Sequence, residues 1–174
     1  HRQPRRTGVG IRLSEASVTP GLLTQVGLAL RGTFRFAGRS RRSELLSYLV
    51  FQLAAVGVAS LVSGFVLDRL THDAMALTLS VILALPMVAL TVRRLHDFGA
   101  KAVWAVPIFA LAGYNTAMSI AALTHGAEAR LAAERVLWPL DWLAIVVVMG
   151  ALVVAFAPGT KGPNRFGPDP RETA

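Results

Sequence analysis

Four long runs of apolar residues divide the chain into segments of membrane-crossing length. They cover 45–67, 74–92, 102–123 and 136–157, and one acid, Asp141, interrupts the last run. A helix needs roughly 20 apolar residues to cross the hydrocarbon core of a bilayer. Helices are the expected form, because backbone polar groups cannot stay unpaired in lipid. The pattern predicts an all-α, polytopic membrane protein with four transmembrane helices, within one membrane domain of residues 19–174.

A shorter amphipathic segment precedes the first run. Thr19 and Pro20 stand where a helix commonly opens. Apolar residues then recur near helical spacing, at Leu22, Leu23, Val26 and Leu30. We expect an N-terminal amphipathic helix lying on the cytoplasmic interface of the membrane, with an ordinary lead-in to the first span as the alternative. Residues 1–18 are basic and are expected to form a separate, flexible tail.

The charge is strongly positive although the mean hydropathy is +0.52. The chain has 18 Lys and Arg against 10 Asp and Glu. A net charge of +8 would suggest nucleic acid for a soluble protein, but here the basic residues lie between membrane-length runs. We therefore expect no nucleic-acid partner.

The distribution of basic residues predicts the orientation of the spans. Nine lie in 1–44, three in 93–101 and three in 158–174, whereas the other two connections hold one and two. Basic residues concentrate in cytoplasmic connections. Both termini and the central connection are therefore expected to be cytoplasmic.

Three polar segments follow or precede the spans on this side: 34–44, 93–101 and 158–170. We call them together the cap, because each touches the end of a different predicted helix. They contain the blocks "FRFAGRSRRSE", "RRLHDFGAK" and "PGTKGPNRFGPDP". Their common side and their short distance from the helix ends predict that they meet.

The three blocks resemble the small bacterial inner-membrane family called domain of unknown function 805, over roughly residues 30–170. The first block matches at Phe36, Gly38, Arg39, Arg42 and Glu44, and the second at Arg93, Arg94, Leu95, His96, Asp97 and Gly99. The third matches at Gly162, Asn164, Arg165, Phe166, Gly167, Asp169 and Pro170. The resemblance implies a multi-pass protein of the bacterial inner membrane and no established activity.

Twelve cap residues are candidates for binding a ligand or for holding the fold. They are Phe36, Gly38, Arg39, Arg42, Glu44, Arg93, Arg94, His96, Asp97, Asn164, Arg165 and Asp169. Arginine pairs bidentately with carboxylates, which favours a structural lock. The three segments hold nine basic residues against three acids, so the surplus is expected to attract phosphate from anionic lipid or a phosphorylated ligand.

Two catalytic alternatives use the same residues. His96 and Asp97, with Glu44 and Asp169, have the donor types of a mononuclear metal site. A serine nucleophile beside His96 would have to be Ser40 or Ser43. The chain contains no cysteine, which excludes thiolate catalysis and Cys-ligated metals. We expect neither a catalytic residue nor a metal or other cofactor.

The preferred function is that of a non-enzymatic membrane protein, structural or regulatory, whose cap binds anionic lipid headgroups or a phosphorylated ligand. Membrane lipids are the expected partners, with a homo-oligomer or a membrane protein partner as further expectations. A small transporter or channel subunit is the alternative, for which Asp141 would be the ionisable group inside a span.

Overall fold

The computed structural model describes residues 21–172, apart from the side chain of Asp141. The described chain forms six α-helices and one 3-10 turn, Ala102–Ala105, without a β-strand. The helices are α1 Leu22–Arg31, α2 Arg42–Val66, α3 Arg69–Asp97, α4 Val106–His125, α5 Ala127–Leu137 and α6 Pro139–Phe156. The all-α prediction is confirmed. The predicted tail 1–18 and the helix-opening residues Thr19 and Pro20 lie outside the described residues.

Three helices are long and apolar enough to cross a membrane: α2, α3 and the helix Ala102–His125, which joins the 3-10 turn to α4. A fourth is added if α5 and α6, which are bent by 90° at their junction, count as one span. The first three predicted runs coincide with these helices. The fourth run corresponds to α6 and the last residues of α5.

Helix α5 lies where the apolar pattern predicts only a connection. Its residues are mostly Ala, Glu, Arg and Leu, which are strong helix formers. Arg130 donates to Glu134 one turn further on, at 2.7 Å. Helix propensity predicts a helix here. The segment is too polar to belong to an apolar run of membrane-crossing length, so that pattern does not show it. Two exposed tryptophans, Trp138 and Trp142, flank its junction with α6, as is typical of a membrane interface.

Helices α2 and α3 form an antiparallel hairpin. At the tight connection, Ser63 Oγ and His72 Nδ1 are hydrogen-bonded at 2.8 Å. Asp68 caps the first turn of α3 by accepting from the Thr71 hydroxyl at 2.6 Å and from its amide at 3.1 Å. The same hydrogen bonds lower the pKa of Asp68. The hairpin thus returns the chain to the end of the bundle where α2 begins.

The buried apolar residues collect at that same end, which carries the cap. Helix α1 contributes Val26 and Ala29, which pack with Tyr48 of α2 and Leu90 of α3. A second cluster joins α3 and the 3-10 turn through Val92, Leu95 and Ala105, with Phe109 and Val154 packed against it. Packing is therefore densest directly beneath the polar segments.

Candidate functional site

The central cap segment is largely helical rather than a loop. Helix α3 continues through Asp97, so the prediction of a connection over 93–101 is wrong for its first half. Gly99 ends the helix with φ +73°, a conformation that glycine adopts readily, and the amide of Ala100 donates to Leu95 O at 3.0 Å. Arg94 and Asp97 consequently lie on one face of α3, three residues apart.

A buried carboxylate between two arginines forms the centre of the cap. Asp97 Oδ1 accepts from Arg39 Nε at 2.9 Å and lies 2.7 Å from Arg39 Nη2. Its other oxygen, Oδ2, accepts from Arg94 Nη1. Both guanidinium side chains are about 1% exposed and the carboxylate is 5% exposed. Two cations therefore share one anion away from solvent.

Backbone carbonyls offset the positive charge that remains when two guanidinium groups share one carboxylate. Arg39 donates to Gly162 O and Thr160 O of the tail, each at 2.6 Å. Arg94 donates to Val154 O at 3.0 Å and to Ala157 O, at the end of α6. Carbonyls at a helix C-terminus lack intrahelical partners and carry partial negative charge, so a guanidinium both caps and neutralises them. These contacts tie α3 to α6 and to the tail.

The tail packs against Asp97 through two residues outside the predicted set. Thr160 donates from its amide at 3.0 Å and from its hydroxyl at 2.8 Å to the Asp97 carbonyl. Gly159 passes so close to the carboxylate that a Cβ there would lie 1.6 Å from Asp97 Oδ2. A side chain at position 159 is therefore incompatible with the carboxylate in its present place.

His96 connects the first segment to the tail. Its Nδ1 is 3.1 Å from Gly38 O, and a carbonyl can only accept, so Nδ1 carries the proton. The ring stacks on Phe166 with centroids 3.9 Å apart and planes 6° from parallel. Asn164 donates from Nδ2 to His96 O at 3.0 Å and accepts from the Phe166 amide at 2.9 Å. The imidazole acts here as a packing and hydrogen-bonding group.

Asp169 closes the tail upon itself. It accepts from the Gly162 amide at 3.0 Å and from Arg171 through the amide at 3.0 Å and through Nε at 2.8 Å. The hydrogen bonds from the Arg171 guanidinium and amide hold the pKa of Asp169 far below its usual range. Arg171 also donates to Thr160 O at 2.6 Å, so the folded tail is attached to the same point as Arg39.

The beginning of α2 is joined to α3 by a second, more peripheral ion pair. Arg93 Nη2 donates to Glu44 Oε1 at 3.1 Å, and Ser40 Oγ donates to Glu44 Oε2 at 2.9 Å. The Ser40 amide donates to Arg93 O at 3.2 Å. Arg41 Nε donates to Pro170 O at 2.6 Å, which adds a direct contact from this segment to the tail. All three cap segments are therefore in contact.

The structure brings nine of the twelve candidate residues into one network of hydrogen bonds and ion pairs. They are Gly38, Arg39, Glu44, Arg93, Arg94, His96, Asp97, Asn164 and Asp169. Arg165 is exposed but donates to Gly99 O at 2.6 Å and lies over the Phe166 ring. Phe36 and Arg42 are exposed and lie outside the network.

Several residues of the network were not among the twelve candidates, although Ser40 was named as an alternative nucleophile. They are Ser40, Arg41, Gly159, Thr160 and Arg171. Arg41 and Arg171 were signalled by the general excess of arginine beside acids. Thr160 and Gly159 gave no such signal. Thr160 acts mainly through its backbone amide and carbonyl, to which its hydroxyl adds one hydrogen bond, and Gly159 acts through the lack of a side chain.

The donor atoms of a metal site are committed to cations. Both Asp97 oxygens and both Asp169 oxygens accept from arginines, so a metal ion would have to displace guanidinium groups. Within residues 21–172, no cluster of three or more His, Asp or Glu side chains is arranged to hold a metal. Ser40 donates to Glu44 rather than to an imidazole. The arrangement is suited to fastening helices and loops together.

These features define the chain as an all-helical protein with helices apolar enough for a membrane, fastened at one end by a polar cap. It belongs to the family described as "Protein of unknown function (DUF805)", whose model matches residues 33–168. The resemblance noted from the three blocks is thereby confirmed. Helix α1 lies before the matched region. Neither a curated protein nor a solved structure matches the chain.

Proposed function

We propose that the protein is a non-enzymatic component of the bacterial inner membrane, structural or regulatory, whose cytoplasmic cap fixes the helix ends and faces anionic lipid headgroups. The observation that carries the proposal is the buried Arg39–Asp97–Arg94 cluster. Its guanidinium groups are occupied by the carboxylate and by backbone carbonyls, so it supports a fastening role and leaves ligand binding to other cations.

Burial of this cluster supports rigidity of the cap. Removing charged groups from water costs several kcal/mol per ion, and only well-placed partners offset that cost. Any displacement of α6 or of the tail would separate Arg94 from Val154 O, or Arg39 from Thr160 O. The helix ends are therefore held in one arrangement.

The remaining cations at this end are free to meet phosphate. Their side chains are exposed and form no hydrogen bond or ion pair with the described part of the chain: Arg31, Arg35, Arg42, Lys101 and Lys161. Basic residues at the cytoplasmic surface are attracted to anionic lipids by about 1 kcal/mol each. The excess charge of the cap thus supports a preference for anionic headgroups.

The proposed orientation has a direct test, because the chain contains no cysteine. Lys161→Cys lies on the exposed tail of the cap and Ala127→Cys is exposed at the opposite end of the bundle. In intact spheroplasts, a membrane-impermeant maleimide is expected to label Ala127→Cys only, and Lys161→Cys only after permeabilisation. The reverse labelling would contradict cytoplasmic placement of the cap.

The lipid preference is tested on the purified full-length chain by native mass spectrometry. Equal amounts of phosphatidylglycerol and phosphatidylcholine are offered, and retained lipid is counted at low and at physiological salt. We expect phosphatidylglycerol to be retained preferentially, and the preference to weaken with salt because exposed charges are screened. Equal retention of the two lipids at low salt would refute the proposed headgroup contact.

A further inference from the structure

We infer that the anionic-lipid contact rests on one segment, which comprises helix α1, the connection 32–41 and the first residue of α2. Its phosphate-binding residues are Arg31, Arg35 and Arg42. We call residues 22–42 the anchor segment. The inference rests on the proposed function, because it assumes that the cap faces anionic headgroups. It adds which residues make the contact and which exposed cations do not.

Helix α1 lies at the cap end of the bundle, a short way below the beginning of α2. Val26 and Ala29 pack against Tyr48 and Leu90. Tyr48 lies six residues after Arg42, about 9 Å along the helix axis at 1.5 Å per residue. Gly32, just after α1, is packed against the Arg93 side chain at the level of the cap. Helix α1 therefore lies at the depth that interfacial helices reach, about 5–10 Å into the boundary between headgroups and acyl chains.

The anchor segment leaves an apolar surface uncovered. One face of α1 is buried through Gln25, Val26 and Ala29. Outside that face, its leucines and the two phenylalanines of the connection are exposed: Leu22, Leu23, Leu28, Leu30, Phe34 and Phe36. Leu23 is 79% exposed and Phe34 is 82% exposed. Acyl chains at this depth would cover these side chains, whereas water would leave them as an uncovered apolar patch.

The anchor segment is positively charged and has no acid of its own. No acid occurs between Gly21 and Ser43, and the next residue, Glu44, is already paired with Arg93. Of the five arginines in the anchor segment, Arg39 and Arg41 are occupied within the cap. The other three remain exposed beside apolar side chains. A guanidinium group matches phosphate bidentately and is weakly hydrated, which suits it to this position better than an ammonium group.

The test compares two variants that remove the same number of charges from the same end of the protein. Arg35→Gln/Arg42→Gln removes two anchor-segment cations, and Lys101→Gln/Lys161→Gln removes two exposed cations from the other cap segments. Competition of phosphatidylglycerol with phosphatidylcholine is measured on both full-length variants by native mass spectrometry. We expect the preference for phosphatidylglycerol over phosphatidylcholine to fall about 30-fold in the arginine variant and less than about threefold in the lysine variant.

A second measurement reports position independently of charge. A nitroxide attached to Phe34→Cys, in a chain otherwise free of cysteine, is expected to collide with lipid-dissolved oxygen more often than with a water-soluble nickel complex. The same label on Lys161→Cys should show the opposite ratio. Water exposure at both positions would overturn the membrane insertion of the anchor segment.

The outcomes separate this inference from the proposed function. Equal losses in the two double variants would mean that the cap charge acts as a whole, which overturns the assignment to the anchor segment and leaves the proposed function standing. A wild-type protein without preference for phosphatidylglycerol overturns the proposed function itself. A large loss confined to the arginine variant, with Phe34→Cys in lipid, supports both.

Discussion

Asp97→Asn is expected to destabilise the protein by about 3–5 kcal/mol, because it leaves two buried guanidinium groups without their anion. Asparagine has nearly the same shape, so the loss reports charge rather than packing. The Arg39 and Arg94 side chains are about 1% exposed and cannot be rehydrated while the cap stays closed. Thermal unfolding of the purified protein in a mild detergent should show a clearly lower midpoint.

Asp73→Asn is the matched control. The Asp73 carboxylate lies 3.8 Å from the Arg69 guanidinium group in an exposed ion pair. The side chain of Asp73 is 47% exposed and that of Arg69 is 89% exposed. Exposed pairs of this kind contribute roughly 0–1 kcal/mol. Both variants remove one carboxylate from α3, so only the environment differs. An Asp97→Asn midpoint equal to that of Asp73→Asn would show that the buried cluster does not hold the cap closed.

Gly159→Ala is the second change for which we expect a large effect. The added Cβ would lie 1.6 Å from Asp97 Oδ2 and 2.3 Å from the carboxylate carbon. Either the tail or the carboxylate must move, and each movement separates Asp97 from Arg94 or from Thr160. Overpacking typically costs about 1–3 kcal/mol, and here the broken ion pair adds to it. The unfolding midpoint in detergent should fall accordingly.

Gly150→Ala, in the middle of α6, provides the comparison. A Cβ at that position meets no atom within 4 Å, and alanine is about 1 kcal/mol better than glycine inside a helix. The thermal unfolding midpoint of Gly150→Ala should be the same as that of the wild type or higher. The double variant Asp97→Asn/Gly159→Ala should lose less than the two single losses together, since both act on one contact. Additive losses would argue against a shared mechanism.

Much of the fold could be predicted from the spacing of apolar residues. Runs of about twenty residues are sufficient to locate α2, α3 and α4, because membrane-length helices need little else. Helix α5 could not be predicted in this way, because it depends on helix propensity and on packing against α4 rather than on the length of an apolar run. Continuation of α3 through Asp97 was equally hidden, because charged residues in a last helical turn resemble a polar connection.

The composition of the site was predictable, but the separate roles of its arginines were not. Arg39 and Arg42 look equivalent in the sequence, three positions apart in one basic block. Arg39 is buried against Asp97, whereas Arg42 opens α2 and stays exposed. That difference follows from where the tail lies, and the tail acts through carbonyls such as Thr160 O that carry no side-chain signal. The arginine content therefore predicted a polar cap, but it did not distinguish the buried arginines that hold the cap together from the exposed arginines without partners.

The partners in the buried cluster lie far apart in the sequence, so they become available at different times during synthesis. Arg39 lies 58 positions before Asp97, while the carbonyls that receive Arg94 lie 60 and 63 positions after it. During synthesis from the N-terminus, Arg94 therefore has no complete set of partners until α6 and Ala157 have been made. We expect the guanidinium group of Arg94 to stay hydrated until that point, since a buried cation needs its partners in place. The cluster thus couples burial of charge in the cap to the synthesis of α6.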